Sequence, residues 1–276
     1  MSNLIEGITI VIFILFLSLI LKSSLAIGLA YLFSSLAAFF VVFFFFKKNI
    51  SFELNIKELF KKENLNKANF IYYFKNGLPL TFFGLLGYIF FSTDQLILGH
   101  FRNFKEVGTY AVASKLILAV SFLGYLFSTA VFPLISKLIS DLKRLKKYFY
   151  AFLILHFLLG FFTSLIMIPL SPLLIYIGFG KEYLDALPLV YSLVWILIFM
   201  FQTNFLDYVL LAFNLQWLDF FITLIPAVLN LILNFILVPN YGAFGAIFSS
   251  LVSQLINFFL TLLLSLFVIE KTSKKS

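Results

Sequence analysis

The chain alternates long, nearly charge-free apolar runs with short charged or Gly/Pro breaks, and runs of that length have few ways to fold. A helix needs about 20 apolar residues to cross the hydrocarbon core of a bilayer. Inside lipid every backbone polar group must be bonded within the segment, so helices are the natural solution. Runs over 4–21, 25–46, 77–99, 107–136, 148–170, 185–211, 217–238 and 243–269 meet the length requirement. The expected fold is all-α, a polytopic transmembrane helix bundle of about eight spans. Hydrophobic residues make up 62% of the 276-residue chain and mean hydropathy is +1.07. Ordinary soluble domains hold roughly 45–50% apolar residues, so the excess needs lipid to cover it. The first run is preceded by MSNLIEG, which carries Glu6 and no Lys or Arg, and the next follows after a three-residue break. This reads as a helical hairpin and not as a cleaved leader.

The net charge of +8 is a statement about topology before it is one about partners, and no nucleic-acid partner is expected. Lys47, Lys48, Lys57, Lys61, Lys62, Lys67, Lys75, Lys137, Lys143, Arg144, Lys146, Lys147, Lys271, Lys274 and Lys275 all fall on one side of the expected bundle. The other side receives only Lys22, Arg102, Lys105 and Lys181, and Lys115 lies within a span. Because basic residues flanking spans are retained in the cytoplasm, both termini are predicted cytoplasmic. The 47–76 connection is long, polar and Lys-rich, and its ELNIKELFKKENLNK stretch has the spacing of an amphipathic surface helix. It divides a hairpin over 1–46 from a six-helix lobe over 77–269, with a tail at 270–276. The absence of cysteine excludes disulfides, thiolate zinc sites and iron–sulfur clusters. No GxxxxGK[ST] loop occurs, so no nucleotide and no other cofactor is expected.

An ionisable group at the centre of a membrane helix costs roughly 2.5–3.5 kcal/mol on insertion scales, so each one invites a functional reading. Asp94 in the third span and Lys115 in the fourth come to similar depth if the short 100–106 connection makes the two helices antiparallel neighbours. They read either as a cavity-facing pair with a substrate-binding cation or as a structural ion pair. Gly108, Ala111, Lys115 and Ala119 share a face, which favours Lys115 facing protein or cavity, not lipid. Gly77, Thr81, Gly84, Tyr88 and Gln95 repeat at helical spacing in the third span. Ser250, Gln254, Asn257 and Thr261 do so in the last, and Asn230 and Asn234 stack one turn apart in the seventh. Such stripes either line a wet cavity or hold helices together. His156, isolated in a Leu/Phe-rich run, reads as a packing residue, and His100 as interfacial. Prolines 79, 133, 169, 172, 188, 226 and 239 mark span ends or bends.

The run NGLPLTFFGLLGYIFFSTDQLILGHF, followed by VGTYAVASKL and FPLISKL, resembles the second half of the Wzx-type polysaccharide flippases. These belong to the superfamily that also holds the multidrug and toxic compound extruders and the lipid II flippase. IGFGKEYLDALPLVYSLVW and NLILNFILVPNYGAFGAIFSSLVSQ resemble later helices of the same family, so the likeness covers about 77–269. It implies a carrier in the bacterial inner membrane that flips sugar units linked to undecaprenyl pyrophosphate between leaflets, without catalysis. Two six-helix lobes rock about a positively lined cavity. Lys115 sits where the family motif places its cation, with Asp94 as its partner. Tyr88, Gln95, Asn230, Asn234, Gln254 and Asn257 would form sugar-contacting walls. Gln95 departs from the family, which often has a basic residue directly after the motif aspartate. The family also has about twelve to fourteen helices, so this chain reads as one lobe preceded by the last two helices of another. A truncated product, a partner chain or a homodimer would each account for that. A drug or organic cation antiporter of the same superfamily and a membrane-embedded polysaccharide polymerase or transferase remain as alternatives. The former would want acidic and aromatic walls, and the latter a catalytic base in a polar cavity.

Overall fold

The computed structural model describes residues 92–273 continuously, together with the isolated helical positions Leu36, Phe40 and Leu78. The chain divides into two compact units, Met1–Ile71 and Tyr72–Ser276, and the continuous stretch belongs to the second. Apart from those isolated positions, the 1–46 hairpin, the 47–76 linker and the third span up to residue 91 lie outside the described residues. So does the tail beyond residue 273.

Among the described residues the chain is helical throughout, with no strand. Helix α1 covers 92–101, α2 Phe104–Leu138 and α3 Leu142–Gly178. A 3₁₀ turn, Lys181–Ala186, leads into α4, Leu187–Leu193, and α5, Ile196–Ala212. Helices α6, Gln216–Tyr241, and α7, Ala243–Ser273, complete the lobe. Helices α2, α3, α6 and α7 are each long and apolar enough to cross a membrane. The Lys181–Leu193 segment together with α5 passes the same test as a fifth crossing, bent by 57°. The result is a multi-pass membrane bundle.

The expected 137–147 loop shrinks to residues 139–141, because α3 starts at Leu142 and carries Lys143, Arg144, Lys146 and Lys147 on its first turns. The local cause is a cap: the Asp141 side chain accepts a hydrogen bond from the Arg144 N–H at 3.1 Å, satisfying a donor that the helix start leaves free. Asn103 does the same for α2, accepting from the Glu106 N–H at 2.9 Å. With 35 and 37 residues, α2 and α3 run roughly 50–55 Å at 1.5 Å per residue. That exceeds the ~30 Å hydrocarbon core. Their basic turns therefore project beyond the lipid at one end of the lobe, called here the basic end.

The bend before α5 is a departure from the expected straight 185–211 span, and no proline or glycine sits at it. Leu197 N–H and Ile198 N–H bond back to Val194 O and Trp195 O three residues earlier, a 3₁₀ tightening that leaves the α-helical ladder interrupted. The hydroxyl of Ser164 on α3 donates to Val194 O at 3.0 Å, giving that carbonyl a partner inside the apolar core. Gly160, one turn away, lets α3 approach so closely that an added Cβ would stand 2.9 Å from Ile198 Cα.

Helix α5 is the axle of the lobe, packing against α2, α3 and α7, while α6 packs chiefly on α7. Phe201, Phe205, Leu206, Val209 and Leu210 of α5 are fully or almost fully buried. Two apolar cores form along it. One, around Ile117, Val190, Leu197 and Phe201, lies toward the end away from the basic turns. The other, around Ile135, Leu145, Phe149, Phe205 and Ile269, lies toward the basic end. Large side chains on the outer faces, such as Ile166, Leu173, Phe221, Ile225 and Ile236, stay more than half exposed. A continuous apolar exterior of this kind is a lipid-facing surface.

Candidate functional site

The polar residues of α1, α2, α6 and α7 reach one depth because the turns joining these helices are tight. Asp94 lies eight residues before Arg102, Tyr110 seven after Asn103, and Asn234 and Ser250 eight on either side of Gly242. At 1.5 Å per residue each is about 10–12 Å from its turn. There they converge on Asp94, which is 1% exposed. Tyr110 Oη donates to Asp94 Oδ2 at 2.5 Å, Ser250 Oγ donates to the same oxygen at 2.6 Å, and Asn234 Nδ2 donates to Oδ1 at 2.7 Å. Asn230 Nδ2 donates to Ser250 Oγ at 3.3 Å, and Asn234 Nδ2 also reaches Asn230 Oδ1 at 3.2 Å. One carboxylate thus gathers donors from three other helices, which offsets the cost of burying it.

The expected pairing of Asp94 with Lys115 does not occur. Lys115 is exposed on α2, and no ion pair joins it to Asp94. The physical reason is register and azimuth together: Tyr110 stands at the level of Asp94 and on the face of α2 that meets it, and Lys115 is five residues further along and turned away. Gly108 and Ala111 of the expected small-residue face are half-buried, whereas Lys115 and Ala119 are exposed. Among the described residues Lys115 has no ion-pair partner.

The amide stripes come together inside the lobe. Asn230, Asn234 and Ser250 join the Asp94 cluster, Gln95 Nε2 donates to Ser114 Oγ at 3.2 Å, and Gln254 Nε2 donates to Thr203 Oγ1 at 2.9 Å. Asn230, Asn234 and Gln254 are at most 7% exposed and bonded between helices, whereas Asn257 is half-buried and its side-chain oxygen has no partner among the described residues. Tyr88 lies outside the described residues. His156 packs as expected, 0% exposed and stacked on Phe205, with Nε2 3.2 Å from Ser128 Oγ and Nδ1 2.8 Å from Phe152 O.

Two features escaped the sequence reading. The first is an aromatic flank beside Lys115. Phe122, Leu126 and Thr129 continue its exposed face along α2 at helical spacing. Tyr125 and Phe132 lie on the side toward α5. There Tyr208 stands 5.9 Å from the Tyr125 ring, 5.4 Å from Phe132 and 2.9 Å by its hydroxyl from Thr129 Oγ1. Nothing in the aromatic-rich sequence distinguishes these rings from lipid-facing ones. The second is two aspartates within spans, the half-buried Asp207 on α5 and the buried Asp219 on α6, which the rule about charges within spans would have found. Among the described residues no group of three or more His, Cys, Asp or Glu side chains comes together to hold a metal ion. Asp94, a lone carboxylate with its oxygens already engaged by donors, offers no site of that kind.

Comparison with known proteins accords with this bundle. A family model described as "Polysaccharide biosynthesis protein" matches residues 1–139. The chain belongs to that family. A second model, MatE, matches residues 79–236 and places the polysaccharide biosynthesis protein among MatE-type flippases and transporters. Both families are transporters and flippases, not enzymes. The protein is also similar to the capsular polysaccharide biosynthesis protein CapF of Staphylococcus aureus, 24% identical over 195 residues. That alignment covers 70% of this chain and 49% of CapF, so the chain spans about half the length of the curated relative it matches. No solved structure matches.

Proposed function

We propose that this protein carries a lipid-linked oligosaccharide across the membrane as one lobe of a flippase, with Lys115 receiving the anionic pyrophosphate. The observation that carries the reading is the exposed Lys115, without an ion-pair partner among the described residues, heading an aromatic flank. A cation held within a span and left without a counter-ion is costly unless an anion or water meets it there. The rings of Phe122, Tyr125, Phe132 and Tyr208 offer flat apolar faces to sugar rings, and the Thr129 and Tyr208 hydroxyls can exchange hydrogen bonds with sugar hydroxyls. Burial of the amide clusters turns them from sugar-contacting walls into the clamps that hold the lobe as a rigid body, as alternating access requires of each half. The same reading has about eight spans, a 47–76 linker before the lobe, and both termini and the basic end in the cytoplasm of a bacterial inner membrane. A second lobe, supplied by a longer chain, a partner or a copy of this one, completes the cavity.

The test is export of surface polysaccharide in a cell that depends on this protein. Lys115→Ala is expected to lower export strongly with unchanged protein level in the membrane, and Lys115→Arg to retain much of it. Undiminished export in Lys115→Ala would overturn the role of Lys115. Altered drug susceptibility without an export defect would point to the organic cation antiporter instead.

A further inference from the structure

At the basic end the packing of α6 on α7 leaves a groove of about 330 Å³. Leu264, Phe267, Val268 and Lys271 form one wall, and their spacing sets them on a single face of α7. Phe213, Leu215 and Leu218 form the other wall, from the α5–α6 turn and the first turn of α6. The volume falls within the ~300–1,000 Å³ that small-molecule sites occupy, and every lining residue except Lys271 is apolar.

The register across the α6–α7 turn gives the groove its depth. Leu215 and Leu218 stand 27 and 24 residues before Gly242, and Leu264 and Lys271 stand 22 and 29 after it. In an antiparallel pair Lys271 therefore lies at the mouth, and Leu264 lies about 10 Å further into the bundle at 1.5 Å per residue. Trp217, next to Leu218, meets Phe220 edge-on and stacks on Phe221. Aromatic side chains, tryptophan above all, gather at the headgroup level of a bilayer, so the groove opens there.

The mouth carries the charge. Lys271 is exposed, yet its ammonium stands 5.5 Å from the centroid of the Phe267 ring, which keeps it over the groove. No acid pairs with it among the described residues, its neighbour Glu270 included. An apolar slot with a cation at its mouth matches, in order, the acyl chain and the phosphate of a phospholipid. A second copy of this chain would bring more cations to an end that already exposes Lys143, Lys146 and Lys147, and like charges oppose that. A purely apolar segment would leave Lys271 unmatched.

We propose that this groove binds one anionic phospholipid of the leaflet at the basic end, its phosphate on Lys271 and an acyl chain along Leu218, Leu264 and Phe267. The inference is independent of the flippase reading, because lipid binding is measured without transport and on residues that reading does not use.

The chain has two tryptophans, so Trp195→Phe leaves Trp217 as the sole reporter, one position from Leu218. This full-length protein is reconstituted in phosphatidylcholine bilayers that contain rising fractions of phosphatidylglycerol with brominated acyl chains, or of phosphatidylcholine brominated in the same way. Quenching of the tryptophan fluorescence is followed. Brominated phosphatidylglycerol is expected to quench at lower fractions, with about fivefold higher relative affinity, the preference that one Lys near the membrane surface confers. Lys271→Gln is expected to bring that ratio close to one and Lys271→Arg to keep it. Leu264→Phe crowds the groove with the charge intact, and a fall of about twofold or more is expected. Lys147→Gln, at the same end on α3, is expected to leave the ratio unchanged. Equal quenching by the two lipids in the parent protein overturns the site, as it would if protein filled the groove. A ratio that survives Lys271→Gln overturns it too. Equal losses in Lys271→Gln and Lys147→Gln also overturn it, since the general charge of the basic end would then hold the lipid.

Discussion

Tyr110 Oη lies 2.5 Å from Asp94 Oδ2, inside a lobe whose exterior is almost wholly apolar. A buried carboxylate can persist there because the phenol, together with Ser250 and Asn234, replaces the water it has lost. The cluster joins α1 and α2 to the α6–α7 hairpin, so its loss should be felt as looseness of the whole end of the lobe.

The first prediction concerns that cluster. Tyr110→Phe removes one of three donors and should cost about 1.5–3 kcal/mol, the worth of a hydrogen bond to a charged group. Asp94→Leu strands the Tyr110, Ser250 and Asn234 donors together and should cost more. Melting temperatures of the purified protein should therefore fall in the order wild type, Tyr110→Phe, Asp94→Leu. Equal melting temperatures would mean that the cluster does not hold the lobe.

The second follows from the approach of α3 to the bend at α5. At Gly160 an added Cβ meets the backbone of Ile198 at 2.9 Å and Leu197 O at 3.2 Å, and neither can swing aside as a side-chain tip would. Gly160→Ala is expected to cost about 1–3 kcal/mol through this overpacking. At Gly178, on the last turn of the same helix, an added Cβ meets nothing within 4 Å. Gly178→Ala should leave the melting temperature unchanged or slightly raised. Equal loss in both variants would show that helix composition, not contact with the bend, sets the effect.

Much of this lobe was legible because membrane helices announce themselves by length and apolarity, and short turns fix the depth of each residue. Asn230, Asn234 and Ser250 could be placed near one level from spacing alone. What spacing does not give is rotation. Asp94 and Lys115 lie on an antiparallel pair of helices, yet Tyr110, five residues before Lys115, points into the interface while Lys115 points out of it. A shift of that size about a helix axis leaves no mark on hydropathy when both faces are apolar. The break before Ile196 was equally silent, since the freed Val194 carbonyl is satisfied by Ser164, thirty residues earlier in the chain. Asp207 and Asp219 were visible as charges within spans, but their relative placement depends on how α5 and α6 fold back over Asn214, whose φ of 58° makes the turn.

The third prediction concerns the aromatic flank. Tyr208→Leu removes the ring that Tyr125 and Phe132 both touch, and export of polysaccharide should fall several-fold, as expected for losing contacts of about 0.5–1.5 kcal/mol each. Tyr208→Phe keeps the ring and loses only the bond to Thr129, so it should retain most of the export. Protein level in the membrane should be unaffected in both, because the ring lies at the edge of the packed interior. Full export in Tyr208→Leu would remove the flank from the path of the substrate.

The last prediction concerns the end of the lobe away from the basic turns, where two tight connections clasp each other. Arg102 Nε donates to Val238 O at 3.2 Å, and Glu106 Oε1 accepts from the Ala243 N–H at 2.7 Å. That N–H is the first of α7, so the carboxylate supplies a partner at the positive end of a 31-residue helix. Glu106→Ala should cost about 1 kcal/mol, and Glu106→Gln, which keeps the acceptor but not the charge, less than that. Gly242→Ala should be worse than either, for two separate reasons. The backbone there has φ 56° and ψ −136°, a combination open to glycine and hardly to other residues. An added Cβ would also collide with Glu106 Oε1 and displace the acceptor. Melting temperatures in the order Glu106→Gln, Glu106→Ala, Gly242→Ala from highest to lowest would confirm that the clasp acts through both geometry and charge. A Gly242→Ala protein as stable as the wild type would show that the α6–α7 turn can be rebuilt without the clasp.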